Sequence, residues 1–236
     1  MSHDFDAAIR SFWAVRAEQE EKQRTSGKTD AGTRGSVTGG GHLAALTEAI
    51  AALFREAGFP DESIRFKGKI TLPGFYRATK DWDLVVVHEG ILVAAIELKS
   101  QVGSVSNNFN NRSEEAIGNA VDIWRAYEDG TFGDVRPWLG FVFIFETTPR
   151  VKTPVRDIKS SFAGDPIFKE TSYVDRYRIL FQRLTRERLY DATCFVTSES
   201  GGGLDPEHVP ELSLANLAAA IAGRAAYVNA LLDQRK

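Results

Sequence analysis

A chain of 236 residues that is 43% hydrophobic and 26% charged carries enough apolar material for a sizeable core, which excludes a disordered or fibrous chain. Its net charge of -3 means that any affinity for nucleic acid must reside in local clusters rather than in the chain as a whole. The lone Cys194 excludes an intrachain disulfide framework, the opening residues Met1 to Asp6 have no basic or apolar leader character, and no stretch approaches the ~18 continuous apolar residues of a membrane span, so a single cytoplasmic domain over 1–236 is expected.

In chain order, residues 4 to 24 place Phe5, Ala8, Ile9, Phe12, Trp13 and Val15 at helical spacing and predict an amphipathic helix. The glycine-rich run from Thr25 to Gly41 reads as a long mobile loop, and a second helix is expected from His42 to Gly58, where Gly58 and Pro60 stop it. A strand near Ile64 to Ile70 and a loop around Leu72-Pro73-Gly74-Phe75 precede two apolar strands, Leu84 to Val87 and Ile91 to Leu98, joined as a hairpin by His88-Glu89-Gly90. An asparagine-rich loop then leads to a helix from Ser113 to Tyr127, followed by the buried strand Leu139 to Phe145 and a loop from Thr147 to Glu170. An arginine-rich helix from Tyr173 to Leu189, a strand at Ala192 to Val196, a triple-glycine loop and a helix from Leu212 to Leu232 complete an α/β or α+β order around one central sheet.

The informative charges are Asp83 at the start of one hairpin strand and Glu97 and Lys99 near the end of the other, because the run Ile91 to Ile96 is apolar at almost every position. With the turn centred on Glu89, residues whose numbers sum to about 178 lie opposite one another. Asp83 then faces Ala95, Glu97 is its diagonal neighbour, and Lys99 shares the face of Glu97. Two carboxylates can bind a hard divalent cation such as Mg²⁺, with the Leu98 carbonyl as a third oxygen, while an ammonium holds water and stabilises charge at phosphorus. Asp81 competes with Asp83 for the first carboxylate if the turn shifts. The alternative is a surface ion pair at the rim of a sheet.

Glu48, midway along the second helix, is a candidate outer ligand or simply a solvent-facing glutamate. Gly27-Lys28-Thr29 lacks the preceding glycine and strand of a phosphate-binding loop, and the four histidines have no zinc-ligand spacing. Asn107, Asn108, Asn110, Asn111 and Arg112 carry amide and guanidinium groups of the kind that pair with adenine and guanine edges, or else form a turn capping the next helix. Arg65, Lys67, Lys69, Arg77 and Lys80 form a basic stretch bordering Asp83, suited to phosphates. Phosphate contact is open to Arg176, Arg178, Arg183, Arg186 and Arg188 of the 173–189 helix as well, but away from Asp83 they read rather as a solvated face.

The segments Leu72 to Lys80, Trp82-Asp83, Ala95 to Gly103 and Asn107 to Gly118 together resemble the core of the XhoI family of type II restriction endonucleases, a likeness continued in Val121 to Trp124 and densest from Gly35 to Tyr127. The resemblance implies a PD-(D/E)xK restriction-endonuclease-like fold with a mixed sheet flanked by helices. It implies a homodimer that cuts double-stranded DNA at CTCGAG after the first C, leaving 5′ overhangs, paired with a cognate DNA methyltransferase. Asp83, Glu97 and Lys99 would be catalytic, and the 76–80 and 107–112 segments, with Lys67 and Gln101, would lie near DNA. A catalytically silent DNA-binding module and a repair or junction nuclease are the rival readings.

Overall fold

A computed structural model describes residues 4–25, 41–67, 70–156, 160–206 and 209–235. The expected glycine-rich loop lies almost entirely outside the described residues, as do Lys69 and the side chain of Asn107. The first helix is α1 (Phe5–Thr25), and a single 3₁₀ turn leads into α2 (Ala44–Glu56).

The central sheet has the order β1 (Ile64–Arg65), β4 (Leu84–His88), β5 (Ile91–Gln101), β6 (Leu139–Glu146) and β7 (Ala192–Ser198). β1, β4 and β5 pair antiparallel, whereas β5, β6 and β7 are parallel. The parallel strands are connected through the helices α3 (Val105–Glu128) and α5 (Tyr173–Arg186), the long crossovers that parallel pairing demands. A short helix, α4 (Pro149–Lys152), interrupts the expected 147–170 loop, and α6 (Leu214–Asp233) ends the fold.

The unbroken apolar runs of β5 and β6 follow from burial on both faces. One set of alternate residues, including Leu84, Val86, Ile96, Leu98 and Val142, shares a core with Phe12 of α1, Ile50 of α2 and Leu217 of α6. The other, including Val85, Ala95, Phe141, Phe143 and Phe145, packs with Ala116 and Ala120 of α3 and Tyr177 and Phe181 of α5. Glu97 and Lys99 follow Ala95 by period two and so belong to the second face. α2, the helix of Glu48, packs on the opposite one.

Three expectations are corrected. The strand expected over Ile64 to Ile70 is two short ones: β1 joins the main sheet, and β2 (Ile70–Pro73) pairs instead with β3 (Thr79–Trp82) in a separate ribbon. The hairpin register differs by two residues from the expected one, because Glu89 and Gly90, both at positive φ, form a two-residue turn and a bulge follows between Val86 and Val87. Leu84 therefore pairs with Ile96, and continuing that register sets Asp83 opposite Glu97 instead of Ala95. A shift of two preserves the face, so the convergence survives.

The third correction is the asparagine-rich loop, which is the first turns of α3. Asparagine is a poor helix former, but tertiary packing outweighs propensity here. Phe109 meets the Tyr177 ring edge-on at 4.9 Å, and Asn108 Nδ2 donates to the Ser104 carbonyl at 2.8 Å. Gly103 and Ser104, both at positive φ, turn the chain sharply off β5 so that the helix starts at once.

Candidate active site

The site forms where β4 and β5 part. Asp83 stands just before β4, and its Oδ2 accepts from the Leu98 backbone N–H at 2.7 Å, extending the strand contact by one side chain. Glu97, with its side chain only 4% exposed, projects from β5 between two ammonium groups. Lys99 is paired with Glu97 Oε1 and lies 3.8 Å from Asp83 Oδ2. Lys80, reaching over from β3, donates to Glu97 Oε2 at 2.6 Å and to the Asp81 carbonyl at 2.9 Å.

The electrostatics follow from burial. Withdrawal from water raises the Asp83 carboxyl above its ordinary value and the nearby Glu97 raises it further, outweighing Lys99, the Leu98 N–H and Lys80. For Lys99, burial alone would favour the neutral amine, yet Glu97 and Asp83 more than compensate and hold its pKa above 10.5. Lys99 is accordingly an ammonium at neutral pH and acts as a cation and hydrogen-bond donor. Tyr190, buried nearby with its hydroxyl on the Ala116 carbonyl at 2.9 Å, is pushed well up by burial and stays neutral.

Among the described residues no group of three or more His, Cys, Asp and Glu side chains is arranged to hold a metal. The donor set available is the Asp83 and Glu97 carboxylates. Magnesium is commonly held by one or two carboxylates together with waters and substrate phosphates, so this set fits it.

Several other candidates sit differently from their expected places. Asp81 lies on β3 and accepts from Thr71 Oγ1 across the β2–β3 ribbon at 2.6 Å, while Asp83 is the carboxylate that joins Glu97. Lys80, expected as a phosphate contact, is 10% exposed and part of the carboxylate cluster. Glu48 accepts from Arg55 at 2.7 Å and is half-exposed. Gln101 is buried and donates to the Gly103 carbonyl at 2.8 Å, bracing the turn into α3.

Arg77 is tied down as well. Asp122 of α3 accepts from the backbone N–H groups of Phe75 and Tyr76 at 3.0 and 2.8 Å and from Arg77 Nε at 2.9 Å, and Asn119 accepts from Arg77 Nη2 at 3.1 Å. The closeness of this docking requires Gly74, since a Cβ there would lie 2.5 Å from Asp122 Oδ2 and 2.8 Å from the Arg77 carbonyl. Asn110, Asn111 and Lys67 are exposed, and Arg112 pairs with Glu115 one turn along α3. Sequence reasoning overlooked Asn119 and Asp122. Their signal was two polar residues three apart on a helix face otherwise filled by Ala116, Ala120 and Ile123.

A paired-carboxylate and lysine cluster at the end of a central strand has the chemistry to orient water and to stabilise negative charge on a phosphodiester. The chain belongs to the family described as restriction endonuclease XhoI, whose profile matches residues 22–205 and so includes this whole cluster. It is 40% identical over 189 residues to the type II restriction enzyme BstVI of Geobacillus stearothermophilus, covering 77% of this chain and 84% of that one. It is also 40% identical over 182 residues to the type II restriction enzyme XhoI of Xanthomonas vasicola, covering 75% and 72%. With AbrI of Azospirillum brasilense, another type II restriction enzyme, identity is 42% over 145 residues, covering 60% and 65%. The protein is thus an endonuclease by family. No solved structure matches it. No helix among the described residues is long and apolar enough to cross a membrane.

Proposed function

We propose that the protein is a magnesium-dependent type II deoxyribonuclease with the PD-(D/E)xK fold as one domain, and that Asp83, Glu97 and Lys99 carry its chemistry. The observation that supports this most strongly is the convergence of Asp83, Glu97 and Lys99, with Glu97 buried between two lysines at the end of an apolar strand. Buried ion pairs contribute little to stability because desolvation offsets attraction, so their placement favours a functional reading over a surface ion pair.

Asp83 and Glu97, with the Leu98 carbonyl, would hold magnesium, which when bound supplies positive charge to the phosphate and acidifies water. Lys99 donates to the attacking water and to the phosphoryl oxygens as negative charge grows on them. The water oxygen joins phosphorus, the P–O3′ bond breaks, and a proton ends on O3′, leaving 5′-phosphate and 3′-hydroxyl ends. The exposed Asn110 and Asn111, with Asn107, Asn108 and Arg112 on the same helix and Lys67 between β1 and β2, are the candidate DNA contacts. Gln101 and Arg77 serve by holding the turn and loop beside the site. Glu48, on the other side of the sheet, is at most an outer contributor.

The resemblance of the sequence to its family further implies a homodimer acting in the cytoplasm on the palindrome CTCGAG, cut after the first C to leave 5′ overhangs, with a methyltransferase protecting host DNA. A twofold enzyme matches a twofold site. The test is to incubate the protein with plasmid DNA and Mg²⁺, beside Ca²⁺ and Glu97→Ala controls, and to sequence the fragment ends. One recurrent terminus, absent with Glu97→Ala, is expected. Ca²⁺-dependent binding without Mg²⁺ cleavage would instead identify a silent DNA-binding module.

A further inference from the structure

We infer that Lys80 is a positioning residue of this site, whose ammonium occupies Glu97 Oε2 in competition with the divalent cation and fixes the plane of that carboxylate. The inference rests on the metal-dependent reading above. Lys80 comes from the β2–β3 ribbon, not from the catalytic hairpin, so nothing in the hairpin itself requires it. Its ammonium nevertheless has three stabilising partners: Glu97 Oε2 at 2.6 Å, the Asp81 carbonyl at 2.9 Å, and the Trp82 ring, whose centroid is 4.2 Å away. A lysine buried with that many contacts is held in place, and cation–π contact adds to the two hydrogen bonds.

The consequence lies in the charge count. Lys99 takes one oxygen of Glu97 and Lys80 takes the other, so two carboxylates face two ammonium groups and the cluster is neutral. A divalent cation is drawn to net negative charge and needs a free carboxylate oxygen. Lys80 opposes it on both counts, by Coulomb repulsion over a few ångströms and by direct occupation of Oε2. The same contact holds Glu97 in one orientation, so removing Lys80 should ease cation binding and impair turnover. A purely structural lysine would shift both in the unfavourable direction.

The experiment compares wild-type protein with Lys80→Met, Lys80→Gln, Lys80→Arg and Glu97→Gln, measuring Ca²⁺ binding to the DNA-free protein by calorimetry and plasmid cleavage at saturating Mg²⁺. Both neutral variants should bind Ca²⁺ about tenfold more tightly or better, since a neighbouring positive charge is gone. Their cleavage rate should fall by about tenfold, the usual scale for loss of a ligand's supporting contact. Lys80→Arg, which keeps the charge, should bind Ca²⁺ as wild type does and recover part of the turnover. Thermal melting of each variant accompanies these, and Lys80→Gln, which keeps a donor for the Asp81 carbonyl, carries the test if Lys80→Met does not fold. Unchanged or weaker Ca²⁺ binding in the neutral variants, while Glu97→Gln abolishes binding and cleavage, overturns the role of Lys80 and leaves the nuclease reading standing. Wild-type cleavage by Glu97→Gln overturns both.

Discussion

Two ionic clusters draw on neighbouring residues of the 75–83 stretch, and they are built from similar parts. At the α3 cluster, Asp122 accepts from two backbone N–H groups and one guanidinium. Burial alone would raise its carboxyl, yet the Tyr76 N–H, Arg77 and the Phe75 N–H together pull it below 3.8. At the β5 cluster, Asp83 has one backbone N–H and is raised above 3.8, by burial first and then by Glu97. The two aspartates thus move in opposite directions for a physical reason. Fixed donors aimed at Asp122 make an anion comfortable, as in a structural clamp, whereas Asp83 has a second carboxylate, the buried Glu97, as its neighbour. Two carboxylates kept together against their mutual repulsion are poised to gain from a cation, and that separates a site from a strut.

The contrast is broken or sharpened most decisively at Glu97. Glu97→Gln should lower cleavage by about 10²–10³-fold or more, the scale seen when a group stabilising transition-state charge is removed, while the circular dichroism of the fold persists. Asp122→Ala should do the reverse. It strands two N–H groups and the Arg77 guanidinium, costing about 1–3 kcal/mol in chemical unfolding, and it should reduce cleavage only as far as the 74–78 loop shifts. Equal loss of cleavage in the two variants at equal stability would erase the distinction. Gly74→Ala tests the clamp from its other side, since its Cβ would meet Asp122 and the Arg77 carbonyl, and about 1–3 kcal/mol of strain is expected in the same unfolding assay.

Why the β5 cluster was legible in the sequence and the α3 cluster was not follows from the same difference. Charges interrupting the apolar run before Glu97 are conspicuous, and period two preserved the shared face of Asp83, Glu97 and Lys99 even though the turn and the bulge at Val86 together moved the register by two. The strand β6, apolar throughout, and the helix α5 were also legible, whereas α3 begins at Val105, eight residues before the expected Ser113. Lys80 reads as one more base in a basic stretch, since its approach to Glu97 depends on how the β2–β3 ribbon folds over β5. Asp122 reads as an ordinary helix carboxylate, and only the docked 74–77 backbone reveals what it holds. The asparagine run misled for a complementary reason: its composition signals a turn, and the contacts of Phe109 that make it helical come from α5.

The smallest expected effect, and the most direct reading of the contrast, is the pH dependence of stability in Asp122→Asn and Asp83→Asn. Because the folded pKa of Asp122 is lowered, wild type binds fewer protons folded than unfolded at this position, so its contribution is present above 3.8 and is lost as pH falls through the still lower folded value. The advantage of wild type over Asp122→Asn should therefore shrink on acidification. Asp83 has a raised folded pKa, so its contribution is full below 3.8 and is lost as pH rises through the folded value. Asparagine at 83 can still accept from the Leu98 N–H without carrying charge, and Asp83→Asn should gain on wild type as pH rises from 3.8 toward neutrality. Urea unfolding of the three proteins at a series of pH values gives the two differences with opposite slopes if one carboxylate is clamped and the other crowded. Parallel slopes would mean that both aspartates are structural, and the case for a poised carboxylate pair would then rest on Glu97 alone.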